Sequence, residues 1–138
     1  MTNILVTGGC GFIGSNFIRY FLNKYSYNNI VNLDKLTYAG NPSNLKDLQN
    51  NKNYYFIKGD ICDSNLVDNI IKKHSINIII NFAAESHVDK SNQEASIDNF
   101  KMTNIFGTSV LLKKAVENKI EKFLQISTDE VYGSIEEG

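Results

Sequence analysis

The chain opens on a short apolar run, Asn3-Ile4-Leu5-Val6-Thr7, that breaks abruptly into glycines. Phe12, Ile13, Phe17, Ile18, Phe21 and Leu22 then recur at helical spacing, so the pattern predicts a strand, a turn and a helix. Ile30-Val31-Asn32-Leu33-Asp34 reads as a second strand, followed by an irregular stretch from Lys35 to Pro42 and a short polar helix around Ser43 to Gln49. Tyr54-Tyr55-Phe56-Ile57-Lys58 makes a third strand, closed by Gly59-Asp60. Asp63 or Ser64 is suited to cap the next helix, whose Leu66, Val67, Ile70 and Ile71 share one face before it ends near His74. Ile76 to Phe82 is nearly continuous in apolar character, as a parallel strand covered on both faces requires. A long helix is expected from about Gln93 to Asn118, with Ile97, Phe100, Ile105, Val110, Leu111, Ala115 and Val116 as its apolar positions. It leads into a fifth strand, Phe123-Leu124-Gln125-Ile126-Ser127.

Strands alternating with helices predict right-handed βαβ units, an α/β fold with a doubly wound parallel sheet in the order 3-2-1-4-5. Ligands of such sheets sit beyond the carboxyl ends of the strands where the strand order reverses, here between the first and fourth strands. At 138 residues the chain has room for one domain, spanning 1–138, and none for a separate substrate domain. A hydrophobic content of 42%, a charged content of 21% and a net charge of -1 describe an ordinary globular chain, with no electrostatic pull toward nucleic acid or an anionic membrane. Cys10 and Cys62 stand far apart without a CxxC or Cys/His cluster, which argues for reduced, buried thiols and against a disulfide framework or a metal site. No apolar run has the length of a membrane span and the first residues enter a strand directly, so the expected compartment is the cytoplasm.

The chemistry gathers at the predicted strand ends. Gly8, Gly11 and Gly14 form a GxxGxxG spacing between a strand and a helix. Glycine serves a tight turn at Gly8, an unobstructed approach to a pyrophosphate at Gly11 and close helix packing at Gly14, while the helix N-terminus stabilises negative charge. Asp34 follows twenty residues after Gly14, where a carboxylate accepts hydrogen bonds from adenosine ribose hydroxyls and repels a 2′-phosphate, favouring NAD over NADP. Lys35 bears on that charge argument, because its ammonium is able to pair with a phosphate. Asp60, Ala83 and Ala84 occupy further strand ends, where spacing alone leaves them open between cofactor contacts and ordinary loop residues. Ser127-Thr128-Asp129-Glu130-Val131-Tyr132-Gly133 brings a hydroxyl and two adjacent carboxylates to the cleft mouth. Such carboxylates divide into acid and base when their surroundings separate their pKa values; a capped, solvated turn is the competing reading.

Taken together, TGGCGFIGS, LDKLTYAGN, GDI, AAESHVDKS and STDEVYG resemble the extended short-chain dehydrogenase/reductase superfamily, and within it the dTDP-glucose 4,6-dehydratases. The resemblance spans almost the whole chain, and LTYAGN and the Asp129-Glu130 pair are its narrowest signals. It implies a Rossmann-type NAD-binding domain and an enzyme that oxidises a sugar at C4, eliminates water across C5 and C6, and returns hydride to C6. By the same resemblance Asp129 protonates the departing C6 hydroxyl, Glu130 removes the C5 proton and Thr128 hydrogen-bonds the sugar near C4. NAD contacts are implied for Gly8, Gly11, Phe12, Ile13, Gly14, Asp34, Lys35, Thr37, Asp60, Ile61, Ala83, Ala84, Ser86 and Thr103. Ser86, His87, Asp89 and Thr128 fall on the substrate side, with His87 equally readable as a structural loop histidine. Cys10 departs from the alanine more usual in the loop, and is small enough for cofactor binding to survive.

The superfamily's Tyr-x-x-x-Lys pair, in which the lysine lowers the tyrosine pKa, belongs downstream of STDEVYG. Tyr132 does not supply it, since Glu136 stands four residues on. The expectation is therefore an N-terminal portion of a dehydratase, inactive alone, with an incomplete Rossmann domain and without its nucleotide-sugar domain. A UDP-glucose 4,6-dehydratase or other nucleotide-sugar enzyme of the superfamily, and a non-catalytic NAD-binding module, are the alternatives. An uncovered fifth strand is expected to leave an open sheet edge that favours self-association. Family members dimerise through helices that include the one near Ile105, whose usual companion helix is missing, so a homodimer is left open.

Overall fold

The structure, a computed structural model of the chain, describes residues 2–85 and 98–133, apart from the side chains of Asp129 and Glu130. Its strands are β1 (Asn3–Thr7), β2 (Asn29–Asp34), β3 (Tyr54–Lys58), β4 (Ile78–Asn81) and β5 (Lys122–Gln125), joined into one sheet of order β3-β2-β1-β4-β5. All four pairings are parallel, and the predicted order is the observed one. Thr7 lies in register with Leu33 on one side and Asn81 on the other, so the carboxyl ends of β2, β1 and β4 finish nearly flush. The chain thus has a Rossmann-type doubly wound sheet.

Alternation along the central strands builds two cores. Leu5, Val31, Leu33 and Ile79 point to one face and pack beneath α2 (Ser64–Lys73) and α3 (Thr108–Glu117), against Val67, Ile70, Ile71, Val110, Leu111 and Ala115. Ile4, Val6, Ile30 and Ile80 point the other way, toward Ile18 and Leu22 of α1 (Phe12–Lys24) and toward Leu45 and Leu48 of a 3₁₀ helix, Pro42–Leu48. Each aliphatic side chain fully withdrawn from water contributes roughly 1.5–3 kcal/mol, and Leu5, Ile79 and Leu111 are all 0% exposed. β4 is covered on both faces, as its continuous apolar run requires.

Several predicted boundaries and faces shift. β4 is shorter than the apolar run Ile76 to Phe82, because the Ile76 N–H is taken by the Ile71 carbonyl at 3.0 Å in closing α2. β5 ends at Gln125 rather than Ser127: the Ile126 N–H still reaches the Asn81 carbonyl at 3.0 Å, and β4 itself ends at Asn81. Phe12 and Ile13, in the first turn of α1, are 82% and 61% exposed, while Ile18 and Leu22 further along the helix are buried.

The expected long helix is described from residue 98, its interior is a π-helical segment, Lys101–Gly107, and regular α-helix follows in α3. Hydrogen bonding to the fifth residue shifts the angular phase, so Phe100, which α-helical spacing would group with Leu111, is 36% exposed; Ile105, 66% exposed, stands about 120° from Leu111 even at α-helical spacing. Val116 lies on the outer face of α3, 80% exposed. Ile97 falls outside the described residues. β5 forms a sheet edge among the described residues, with Leu124 half exposed.

Candidate functional site

The glycine loop is shaped by close approach to the neighbouring strand end. Gly8 adopts φ +69°, and a Cβ there would stand 2.6 Å from the Ala83 nitrogen. A Cβ on Gly14 would stand 2.5 Å from the Gly8 carbonyl oxygen, so the N-terminus of α1 is drawn against the turn. The Gly8 N–H donates to the Leu33 carbonyl at 3.0 Å and the Gly11 N–H to the Gly8 carbonyl at 3.2 Å. Gly11 is the N-cap of α1 and provides no side-chain cap, which leaves the first-turn N–H groups of Phe12, Ile13 and Gly14 without that acceptor.

Asp34, buried at the end of β2, fastens two loops: Oδ2 accepts the Cys10 N–H and Oδ1 the Leu36 N–H, both at 2.8 Å. Leu36 takes a left-handed φ of 59° to meet it. Both carboxylate oxygens retain further acceptor capacity. Across the adjoining strand end, Lys35 Nζ lies 2.7 Å from Asp60 Oδ2, while Asp60 Oδ1 accepts the Cys62 N–H at 2.9 Å. Burial pushes the Asp60 carboxyl up, but Lys35 and the Cys62 N–H outweigh it and hold the group below the usual carboxylate range. The Lys35 ammonium is raised, chiefly by its hydrogen bond to Asp60. Burial, followed by the charge of Asp34, pushes the Cys10 thiol up to about 11; burial and the Asp60 hydrogen bond do the same for Cys62. Cys10 is buried as expected, whereas Cys62 is only half-buried, its thiol donating to the Met102 carbonyl at 3.3 Å.

These groups border a cleft of about 590 Å³, including its solvent-open part, along the carboxyl ends of β1, β2, β3 and β4. Of the residues singled out in the sequence, Gly8, Gly11, Asp34, Lys35, Thr37, Asp60, Ile61, Ala83, Ala84 and Thr103 line it. Phe12, Ile13 and Gly14 do not line it and sit in the first turn of α1 beside it. A second cavity shares Ala83 and Ala84 and extends toward β5, where Asn104, Thr108, Gln125, Ser127 and Thr128 surround it. Thr128 therefore borders that cavity, and a one-turn 3₁₀ helix, Asp129–Tyr132, follows directly. Ser86, His87 and Asp89 lie outside the described residues. Tyr132 is 89% exposed. Tyr20 and Lys24 carry the Tyr-x-x-x-Lys spacing on α1, hydrogen-bonded at 2.8 Å, but neither borders either cavity.

Four asparagines escaped sequence reasoning. Asn81, fully buried at the end of β4, hydrogen-bonds the Thr7 hydroxyl, accepts the Ala83 N–H at 3.2 Å and donates to Gln125 Oε1 at 2.8 Å. It thereby ties together the ends of β1, β4 and β5. Asn104, in the π-helical segment, accepts the Glu85 N–H at 2.9 Å and donates to the Glu85 carbonyl at 3.0 Å, tying that segment to the chain just beyond Ala83 and Ala84. Asn44 donates to the Cys10 carbonyl at 3.0 Å, and Asn32 donates to the Tyr54 hydroxyl at 2.9 Å from beneath Gly9. The polar residue placed just inside a strand end was the one available signal, at Asn81 and Asn32.

The arrangement offers a glycine turn with backbone donors, a buried acid at the second strand end, and a cleft adjoining a second cavity bordered by Thr128. It suits an extended anionic dinucleotide with a small reacting molecule at the β5 end. The sequence model of the family described as GDP-mannose 4,6 dehydratase matches residues 5–138. The chain is 51% identical over 136 residues to low-salt glycan biosynthesis protein Agl12 of Haloferax volcanii, covering 99% of this chain and 42% of that protein. It is 50% identical over 139 residues to a dTDP-glucose 4,6-dehydratase of Streptomyces niveus, covering 98% of this chain and 40% of the relative. The crystal structure of the Bacillus anthracis dTDP-glucose 4,6-dehydratase in complex with NAD superposes with a TM-score of 0.88 at 46% identity, over 100% of this chain and 41% of that one.

Proposed function

The chain belongs to the family described as GDP-mannose 4,6 dehydratase, and from that premise we propose that its cleft holds NAD and that its β5 end carries acid–base groups for dehydration of dTDP-glucose. One juxtaposition carries the reading: the glycine turn fastened by Asp34 and the Thr128 cavity share Ala83 and Ala84 as a common wall. The residues fit the dinucleotide. Gly8 and Gly14 leave no room for a Cβ where the backbone must come close, the first turn of α1 directs N–H groups outward, and Asp34 keeps lone pairs for ribose hydroxyls.

NAD, when bound, supplies a temporary store for hydride taken from the sugar. The chain's own part is positional and protolytic. Asp34, with Thr37, orients the adenosine end; Ile61 flanks the base; Ala83, Ala84 and Thr103 border the passage toward the reacting end. Thr128 hydrogen-bonds the sugar near C4, Asp129 gives a proton to the departing C6 hydroxyl and Glu130 takes the C5 proton. Ser86, His87 and Asp89, outside the described residues, are proposed as sugar contacts from the sequence alone. The chain spans about two fifths of the length of the curated relatives it matches. No Tyr-x-x-x-Lys follows Gly133 within residues 1–138, so these residues alone are proposed to bind NAD without turnover. The cytoplasm is the proposed compartment, supported by two free thiols; among the described residues no helix is long and apolar enough to cross a membrane. Exposed Met102, Ile105 and Phe106 on the π-helical segment support pairing of two copies there.

A chimera tests the reading: residues 1–138 replace the matching portion of the Streptomyces niveus dehydratase. Formation of the 4-keto-6-deoxy sugar nucleotide is expected, with Glu130→Gln lowering kcat at least a hundredfold, the usual scale for removing a general base. A folded, NAD-binding chimera that leaves dTDP-glucose unchanged, or a Glu130→Gln form of undiminished rate, would defeat it. Turnover by residues 1–138 alone would defeat the claim that they are insufficient.

A further inference from the structure

The adenosine end of the cleft is built around three charges at two adjacent strand ends. Among the described residues that line the cleft, Lys35 is the sole cation, facing Asp34, Asp60 and Glu85. Lys35 is not idle. Its Nζ sits 2.7 Å from Asp60 Oδ2, and Asp60 is itself fixed because Oδ1 accepts the Cys62 N–H at 2.9 Å. Asp34 is likewise immobile, held by the Cys10 and Leu36 N–H groups.

A 2′-phosphate brings a charge near -2, which Asp34 opposes by repulsion at short range, while the charge of Asp60 is offset by Lys35. A free lysine next in sequence offsets that repulsion, since its four-carbon stem lets the ammonium follow a phosphate. Resting on the NAD reading, we propose that Asp60 is a second specificity determinant, excluding NADP by holding Lys35 away from the position of a 2′-phosphate. Asp34 sets the repulsion and Asp60 removes the counter-charge. Neutralising Asp60 therefore frees Lys35 without disturbing Asp34.

The experiment is isothermal titration of the 138-residue chain with NAD+ and with NADP+ at low salt, alongside the variants Asp60→Asn, Lys35→Ala and the double variant. Asparagine keeps an acceptor for the Cys62 N–H and loses the charge. Circular dichroism of each form checks that it is folded. The expected result is a fall of about tenfold in the ratio of the NADP+ to the NAD+ dissociation constant for Asp60→Asn. The double variant returns the ratio to near the wild-type value, and Lys35→Ala alone does not lower it. An unchanged ratio in Asp60→Asn, or a gain that survives in the double variant, overturns the proposal. Failure of the folded wild-type chain to bind NAD+ at all overturns the cofactor reading and this assignment with it.

Discussion

Gly8 takes a left-handed φ and lies against the Ala83 nitrogen, while Asp34 reaches from β2 to hold the Cys10 N–H. These two residues make the cleft. A side chain at position 8 meets the backbone of β4's loop, and the loss of Asp34 releases the turn from the second strand. Cys10 lies within that turn, and its thiol is pushed up to about 11, as is that of Cys62. At neutral pH the thiolate fraction of each is then on the order of 10⁻⁴, so neither alkylates readily in the folded chain. Iodoacetamide labelling followed by mass spectrometry should be slow at pH 7 and accelerate as pH rises toward 11. Rapid labelling of Cys10 at pH 7 would contradict the buried loop. The turn at Gly8, the close packing at Gly14 and the position of Gly11 and Asp34 at the cleft were legible because they are written in short spacings. Asn81 and Asn104 were not, because their partners come from distant sequence: Thr7 is 74 residues from Asn81 and Glu85 is 19 from Asn104.

The elements follow from local rules where local rules suffice. β1 and β3 end where the apolar runs end, and Asp63 caps α2 by accepting the Asn65 and Leu66 N–H groups, each at 3.0 Å. Asp63→Ala removes both acceptors and is expected to cost about 1 kcal/mol, lowering Tm by several degrees in a thermal melt, whereas Asp63→Ser should recover most of the loss. An unchanged Tm for Asp63→Ala would show that α2 is held by its apolar face alone. The segment before α3 shows where local reading stops. Nothing in Lys101-Met102-Thr103-Asn104-Ile105-Phe106-Gly107 signals a π-helical winding, yet that winding accompanies the Asn104 contact to Glu85. Gly107 also packs where a Cβ would stand 2.6 Å from the Ile61 side chain, bringing this segment against the cleft. The tertiary contacts settle a conformation that α-helical periodicity misreads, and Phe100 moves off the face it would share with Leu111.

At the scale of the whole molecule, strand order was legible because right-handed crossovers leave few choices for an alternating chain, and the order places the cleft at β1 and β4. What surrounds β5 was less so: its exposed Leu124 and the outward Ile105 and Phe106 are readable only once the sheet is assembled. The same assembly brings the glycine turn, Asp34, the Lys35–Asp60 pair and the Thr128 cavity along one edge, which is the basis for reading that edge as a dinucleotide site. Isothermal titration of the folded chain with NAD+, beside Asp34→Ala checked for fold by circular dichroism, tests this most directly. One NAD+ per chain is predicted, with affinity reduced at least tenfold in Asp34→Ala. A folded wild-type chain that gives no binding signal, or equal affinities in the two proteins, would contradict the account.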